Sequence, residues 1–309
     1  MKLARRNFLH LAAGVAALPV VSRIARAQAY PTRPITLVVP FAPGGANDVI
    51  GRLLAPRMRT LLGQPIIIEN VAAASGSLGT GRVARAAPDG YTSVIGNVGT
   101  HVTNGAVYQL KYDVLNDFEP VSLVATQPFV VVAQKGIPAD DLKGLIGWLK
   151  VNPGKASAGT AGVGATDHVG AALFQTLTGT RFQFVPYRGG GPAVQDLVAG
   201  QVDIMVESPT ITLPQVRSGQ LKAFAVAGES RLAAAPEIPT VDEAGLPRFY
   251  VPFWVGLWAP KGTPKDVIAK LNSAAVTALG FIPATSRRQR RLPPIRKPKS
   301  RSGGRSHNP

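Results

Sequence analysis

Residues 35–50 read ITLVVPFAPGGANDVI. The apolar, β-branched run Ile35–Val39 predicts a strand, Pro40 to Gly45 a turn with two adjacent glycines, and Asp48 onward a helix. Backbone N–H groups at a helix start have no acceptor within the helix and lie at the positive end of its macrodipole. A strand, a glycine turn and a helix in this order therefore make a ready-made anion site.

The same alternation recurs along most of the chain. Further strands are expected at Pro65–Glu69, Thr92–Ile95, Val121–Val124 and Phe129–Ala133, with helices at Asp48–Leu62 and Leu78–Ala86. The first helix shows apolar residues at Val49, Leu53, Leu54, Met58, Leu61 and Leu62, a spacing that lays one stripe on a sheet. A second series has helices at Asp141–Lys150, Asp167–Thr178, Ala193–Ala199 and Thr210–Ser218. Its strands are Ala156–Gly159, Phe182–Pro186, Ile204–Glu207 and Ala223–Ala227. Such alternation predicts α/β layers with mostly parallel strands, and two series predict two lobes around a cleft. Ligands of open α/β sheets sit outside the carboxyl ends of the strands, where the glycine turns fall.

With 309 residues, 45% of them apolar, the chain can bury a substantial core. It contains no cysteine, which excludes disulfides, thiolate catalysis and cysteine metal sites. The net charge of +17 suggests nucleic acid until it is divided by position. Residues 1–29 carry five basic and no acidic residues, residues 280–309 nine and none, and residues 30–279 hold 20 basic against 17 acidic, a balance of +3. The body of the chain is nearly neutral, so no nucleic-acid partner is expected for it. Lys2, Arg5 and Arg6, the apolar run from Phe8 to Val21, and Ala27-Gln28-Ala29 before Tyr30 form an export signal cleaved after Ala29. Arg5-Arg6 followed by Phe8-Leu9 resembles the twin-arginine pattern; an ordinary secretory signal or an uncleaved anchor is the alternative. Residues 280–309, rich in Pro, Arg, Lys, Ser and Gly, read as disordered.

Four turns share the strand-glycine-helix design: Pro43 to Asn47, Ala74 to Ser77, Thr160 to Thr166, and Tyr187 to Gly191. Each is either an anion clamp or a plain connection between layers. No phosphate-binding Gly-x-x-x-x-Gly-Lys-Ser/Thr loop, strand-linked Gly-x-Gly-x-x-Gly or Gly-x-Ser-x-Gly elbow occurs. His101 and His168 lack a third ligand for a metal, and no cofactor is expected. Asp203 reads as either a polar group of the pocket or a cap at a strand end.

On these residues the chain resembles the solute-binding component of tripartite tricarboxylate transporters, the Bug family of periplasmic receptors. The resemblance runs from Tyr30 to Leu279 and rests on YPTRPITLVVPFAPGGANDV, ARAAPDGYTSVIGNVGTHVTN, YDVLNDFEPVSLVA, PYRGGGPAVQDLVAGQVDIMVES, EIPTVDEAG and WVGLWAPKGTP. It implies a two-lobe α/β Venus-flytrap fold with a hinge and an interlobe cleft. Lobe one is expected over residues 30–125, lobe two over 126–228, and a return to lobe one with the start of a C-terminal helix over 229–279. It implies a monomeric, non-catalytic receptor that closes on a small carboxylated solute for membrane permease subunits. The site residues it implies in lobe one are Phe41, Ala42, Gly44, Gly45, Ala74, Ser75, Gly76, Asn97 and Thr100. Lobe two is expected to add Gly162, Gly164, Thr166, His168, Tyr187 and Asp203. Two stretches depart from the family. Val71-Ala72-Ala73-Ala74-Ser75-Gly76 stands where Arg-Pro-Gly-Ala-Gly-Gly is usual, which restricts the positive-φ options of that turn. After Leu279 the helical sequence stops, as a shifted reading frame would produce. An exported enzyme acting on carboxylated small molecules is the competing reading, and a basic tail that anchors to phosphates an accessory one.

Overall fold

The computed structural model describes residues 30–280. The expected export signal with its expected cleavage point, and the segment after 280, lie outside them.

Ten strands form two five-stranded sheets. The first comprises β1 (Ile35–Val39), β2 (Ile66–Asn70), β3 (Thr92–Asn97), β4 (Phe118–Pro128) and β10 (Pro252–Pro260), in the order β2-β1-β3-β10-β4. The second comprises β5 (Val130–Gln134), β6 (Ser157–Thr160), β7 (Gln183–Pro186), β8 (Ile204–Glu207) and β9 (Leu221–Val226), in the order β7-β6-β8-β5-β9. Helices α1 (Ala46–Leu62), α2 (Ser77–Ala84) and α3 (Asn104–Val107) belong to the first lobe, as does α8 (Lys265–Gly280), which returns against α1 and β4. Helices α4 (Leu142–Val151), α5 (Thr166–Thr178), α6 (Gly190–Val198) and α7 (Pro209–Arg217) belong to the second.

Parallel pairing covers only half of the ladders. β1 pairs parallel with β2 and β3, but β10 runs antiparallel between β3 and β4. In the second sheet β5 runs antiparallel between β8 and β9. The expectation of mostly parallel strands missed these insertions because both antiparallel strands enter where the chain changes lobe, not within a βαβ series. β10 itself was not expected as a strand. Its sequence, PFWVGLWAP, has Gly256 at its centre, where a side chain would collide with the ring of Trp258.

Helix α1 shows how sequence sets position. Extended Gly45 opens it, and Gly63, at φ 72°, closes it by donating its N–H to Arg59 O. Ile50, Leu54, Met58 and Leu62 are buried, whereas Leu53 and Leu61 are 49% and 43% exposed, so the buried stripe is rotated from the one the apolar residues suggested. Each of these buried side chains contributes about 2 kcal/mol of apolar burial. Their strict four-residue spacing aims the start of α1 beyond the carboxyl end of β1.

The chain crosses between the lobes at Pro128/Phe129 and again at Val251/Pro252. Three backbone hydrogen bonds tie the crossings together: Phe129 N–H to Val251 O at 3.0 Å, Val251 N–H to Ala227 O at 2.9 Å, and Ala227 N–H to Phe129 O at 2.8 Å. Residues after β9 stay on the second sheet until that point, since Val226 N–H donates to Pro239 O and Val241 N–H to Val226 O. The chain therefore rejoins the first sheet at β10 and not directly after residue 228. Such a closed triangle of main-chain bonds confines φ/ψ change to a few residues, as a hinge requires.

Candidate functional site

The carboxyl ends of β1, β3, β6 and β8 face one another across the interlobe cleft, which encloses about 360 Å³ including its mouth. The start of α1 enters it with Gly45, Ala46 and Asn47, the start of α5 with Ala165, Thr166 and Asp167, and the start of α6 with Gly190. Three sets of helix-start N–H groups thus converge on one space, and each contributes partial positive charge. Phe41, Phe129 and Phe253 supply apolar wall.

Asn47 and Asn97 are the polar floor on the lobe-one side. Asn97 Nδ2 donates to Asn47 Oδ1 at 3.0 Å, and Asn47 Nδ2 donates to Ile95 O at 2.8 Å. Thr100, fully buried, stands behind them: its Oγ1 accepts the Asn97 N–H at 2.9 Å and meets His101 Nδ1 at 2.8 Å. His101 stacks on Trp258 with ring centroids 3.8 Å apart, and burial pushes its pKa down to about 3. It is a neutral strut. Below the turn, Asp48 accepts from Gly44 N–H at 2.9 Å, from Arg52 and from Asn70 Nδ2. Burial opposes its charge, but those donors outweigh it and hold the carboxyl below its ordinary value.

The lobes touch through backbone. Ala42 N–H donates to Arg188 O at 3.0 Å, Thr103 Oγ1 to Gly164 O at 2.7 Å, and both Ser75 Oγ and Tyr108 OH to Val163 O at 2.6 Å. Glycine allows the approach: a Cβ on Gly191 would stand 2.4 Å from Pro43 O, and one on Gly162 would stand 2.5 Å from Ser75 Oγ. The atypical turn at 71–76 retains positive φ in spite of its side chains, with Ala74 at 46° and Ser75 at 51°. That conformation costs of the order of 1 kcal/mol per residue relative to glycine. Gly76, at 85°, packs where any side chain would strike Thr100 Cγ2.

Of the residues singled out in the sequence, Phe41, Gly45, Asn97 and Thr166 line the cleft. Ala42, Gly44, Ala74, Ser75, Gly76, Gly162 and Gly164 form the turns around it, and Thr100 braces its floor. His168 faces away, resting on Phe184, with its Nδ1 accepting the Gly164 N–H at 3.4 Å. Tyr187 turns its hydroxyl to Asp196 at 2.6 Å. Asp203 is a correction: it precedes β8, at the end of the sheet opposite the cleft, where Oδ2 accepts the Ser157 N–H at 2.8 Å and the Ser157 hydroxyl at 3.1 Å. It is the strand-end cap of the two alternatives, because the end of a parallel sheet that emits the amino ends of its strands faces away from the glycine turns.

Sequence reasoning missed two carboxyl groups that line the cleft, Asp167 in the first turn of α5 and Glu207 at the end of β8. They are 3% and 4% exposed. Glu207 closes a strand expected to end at that residue, so the rule that ligands gather at carboxyl ends would have found it. Among the described residues no group of three His, Asp or Glu is placed to hold a metal ion.

Two α/β lobes joined at a hydrogen-bonded hinge, with helix starts converging on the cleft between them, define a periplasmic-type solute-binding protein. The comparisons sharpen that class. The model of the tripartite tricarboxylate transporter family receptors matches residues 50–288. The curated relative BugT of Bordetella pertussis is 38% identical over 248 residues, 80% of this chain and 76% of BugT. MatC from Rhodopseudomonas palustris, solved with bound malate, is 41% identical with a TM-score of 0.78 over 81% of this chain and 85% of that one. The periplasmic binding protein BugD is 39% identical, with a TM-score of 0.79 over 83% and 85%. The chain belongs to the tripartite tricarboxylate transporter receptor family and is a solute-binding receptor of the Bug type. The family's periplasmic setting applies to it, and no described helix is long and apolar enough to cross a membrane.

Proposed function

We propose that this receptor captures a small carboxylated solute in the interlobe cleft and, once closed, presents it to the permease subunits of its transporter, acting as a monomer without chemical turnover. The observation that carries the reading is the convergence of the α1, α5 and α6 starts on one interlobe space. A ligand carboxylate sits on the free N–H groups of Gly45, Ala46 and Asn47, with Asn97 beside it. The turns at 74–76 and 162–166 then close over the solute, and the Ser75 and Tyr108 bonds to Val163 hold the closed form. MatC, which shares this fold, was solved with malate, and that supports a carboxylate. Closure shifts only as far as the ligand prefers the closed form to the open one.

A thermal-shift screen of monocarboxylates, dicarboxylates, tricarboxylates and amino acids tests the reading. Stabilisation by at least one carboxylate is expected, with the ligand recovered unchanged after long incubation. Failure of every carboxylate to stabilise folded protein would overturn the binding claim, and conversion of the ligand would favour an exported enzyme instead.

A further inference from the structure

The charge of the cleft narrows the solute class. Among the lining residues there is no Lys, Arg or His, yet Asp167 and Glu207 are both present and almost fully buried. Asp167 is held by main-chain donors, Ala161 N–H to Oδ2 and His168 N–H to Oδ1. Glu207 Oε1 accepts the Ser208 N–H at 2.6 Å, while Oε2 lies against Gly190, so close that a Cβ there would come within 2.6 Å of it. Thr166, 8% exposed, lines the same space, and its Oγ1 has no hydrogen-bond partner among the described residues. Burial, then their mutual repulsion in the case of Glu207, pushes both carboxyls upward. The surrounding charges do not relieve them. His168 on α5 is turned to Phe184 and its pKa is lowered by burial, Arg52 is engaged by Asp48, and Arg188, in the loop before α6, is exposed.

A dicarboxylate would bring a second negative charge against two buried acids with no side-chain cation in the lining. A zwitterion fits both ends: its carboxylate meets the α1 start, and its cation meets the acids, with Phe41, Phe129 and Phe253 offering ring faces. We propose that the solute is an aminocarboxylate whose ammonium group is held between Asp167 and Glu207, with Thr166 Oγ1 as a further acceptor. This rests on the receptor reading above.

Isothermal titration of the full chain with γ-aminobutyrate against succinate, and δ-aminovalerate against glutarate, separates the two. At least one aminocarboxylate binds about tenfold more tightly than its dicarboxylate partner and gains affinity from about pH 5.5 to about pH 8, releasing protons as the acids ionise. Glu207→Gln and Asp167→Asn, checked for folding by circular dichroism, each weaken the aminocarboxylate about tenfold and leave the dicarboxylate unchanged or tighter. A dicarboxylate that binds more tightly, or aminocarboxylate binding that weakens as pH rises, overturns the proposal while leaving the receptor standing. Equal aminocarboxylate affinity in folded Glu207→Gln and Asp167→Asn overturns it as well. Absence of binding by all four probes removes the aminocarboxylate class, and the wider carboxylate screen then decides the receptor reading separately.

Discussion

The hydroxyl of Ser75, in the first lobe, donates a 2.6 Å hydrogen bond to the carbonyl of Val163, in the second. Tyr108 OH reaches the same carbonyl, so two donors from one lobe share one acceptor of the other. Because these bonds span the cleft, they stabilise closure without stabilising either lobe.

Ser75→Ala and Tyr108→Phe therefore act on binding. Each removes a neutral hydrogen bond of about 1 kcal/mol, so ligand affinity falls about fivefold for either and more for both, with the melting temperature of the ligand-free protein nearly unchanged. Calorimetry with a ligand found in the carboxylate screen measures the first and thermal unfolding the second. Unaltered affinity in the double variant would show that the bonds exchange for water at no net gain.

Gly191→Ala tests closure by steric means. Gly191 lies in the first turn of α6, where alanine is a better helix former than glycine, so each lobe tolerates the change. The added methyl would stand 2.4 Å from Pro43 O, 2.8 Å from Gly44 C and 2.9 Å from Gly45 N, so what it blocks is the approach of α6 to the first-lobe turn. Small-angle scattering is expected to show no ligand-induced compaction in this variant. A wild-type compaction would mean that the lobes meet elsewhere.

Asp203→Ala separates stability from binding. It leaves the Ser157 N–H without its carboxylate, a cost of about 1–3 kcal/mol to the second lobe. Ligand affinity measured on the folded fraction stays at the wild-type value, since Asp203 is at the far end of β8. A marked loss of affinity would return Asp203 to the site.

Asp167 gives the ligand-free protein a distinctive pH profile. Burial raises its pKa from 3.8 to about 7. Between these values the folded state keeps a proton that the unfolded chain has released, so this contribution to stability falls as pH rises from about 4 to about 7 and is level beyond. Denaturant titrations of wild type and Asp167→Asn, subtracted at each pH, should show that descending limb. A difference that is flat or ascending over the same interval would mean that the carboxyl ionises freely in the cleft.

The strands and helices were legible because each is a short apolar run between glycine or proline signals. Ile35–Val39 and Ile204–Glu207 agree to the residue. The strand β10 was not, because its aromatic, glycine-broken sequence gains its place only from neighbours, β3 and β4, that lie more than a hundred residues earlier. In the site, glycine turns announced Gly45 and Thr166, while Phe41 and Asn97 came from the family resemblance. Asp167 was hidden because a carboxylate at a helix start usually faces water; Glu207, ending an expected strand, was open to the rule for ligand position, and only the burial of the two needed the second lobe's packing. Tyr187 and His168 stand beside the right turns but point along α6 and towards Phe184, a matter of side-chain direction that spacing does not encode.

The position of β10 sets an order of assembly. The second lobe is continuous in sequence, so it can fold as soon as its own residues are made. The first lobe cannot complete its sheet until residues 252–260 have been synthesised, and until then β3 and β4 present unpaired edges to the cell. Its long-range pairing makes it the slow half of the molecule. The interval between translation of β4 and arrival of β10 is when the nascent chain is most exposed to aggregation, and when a chaperone that shields strand edges would serve it most.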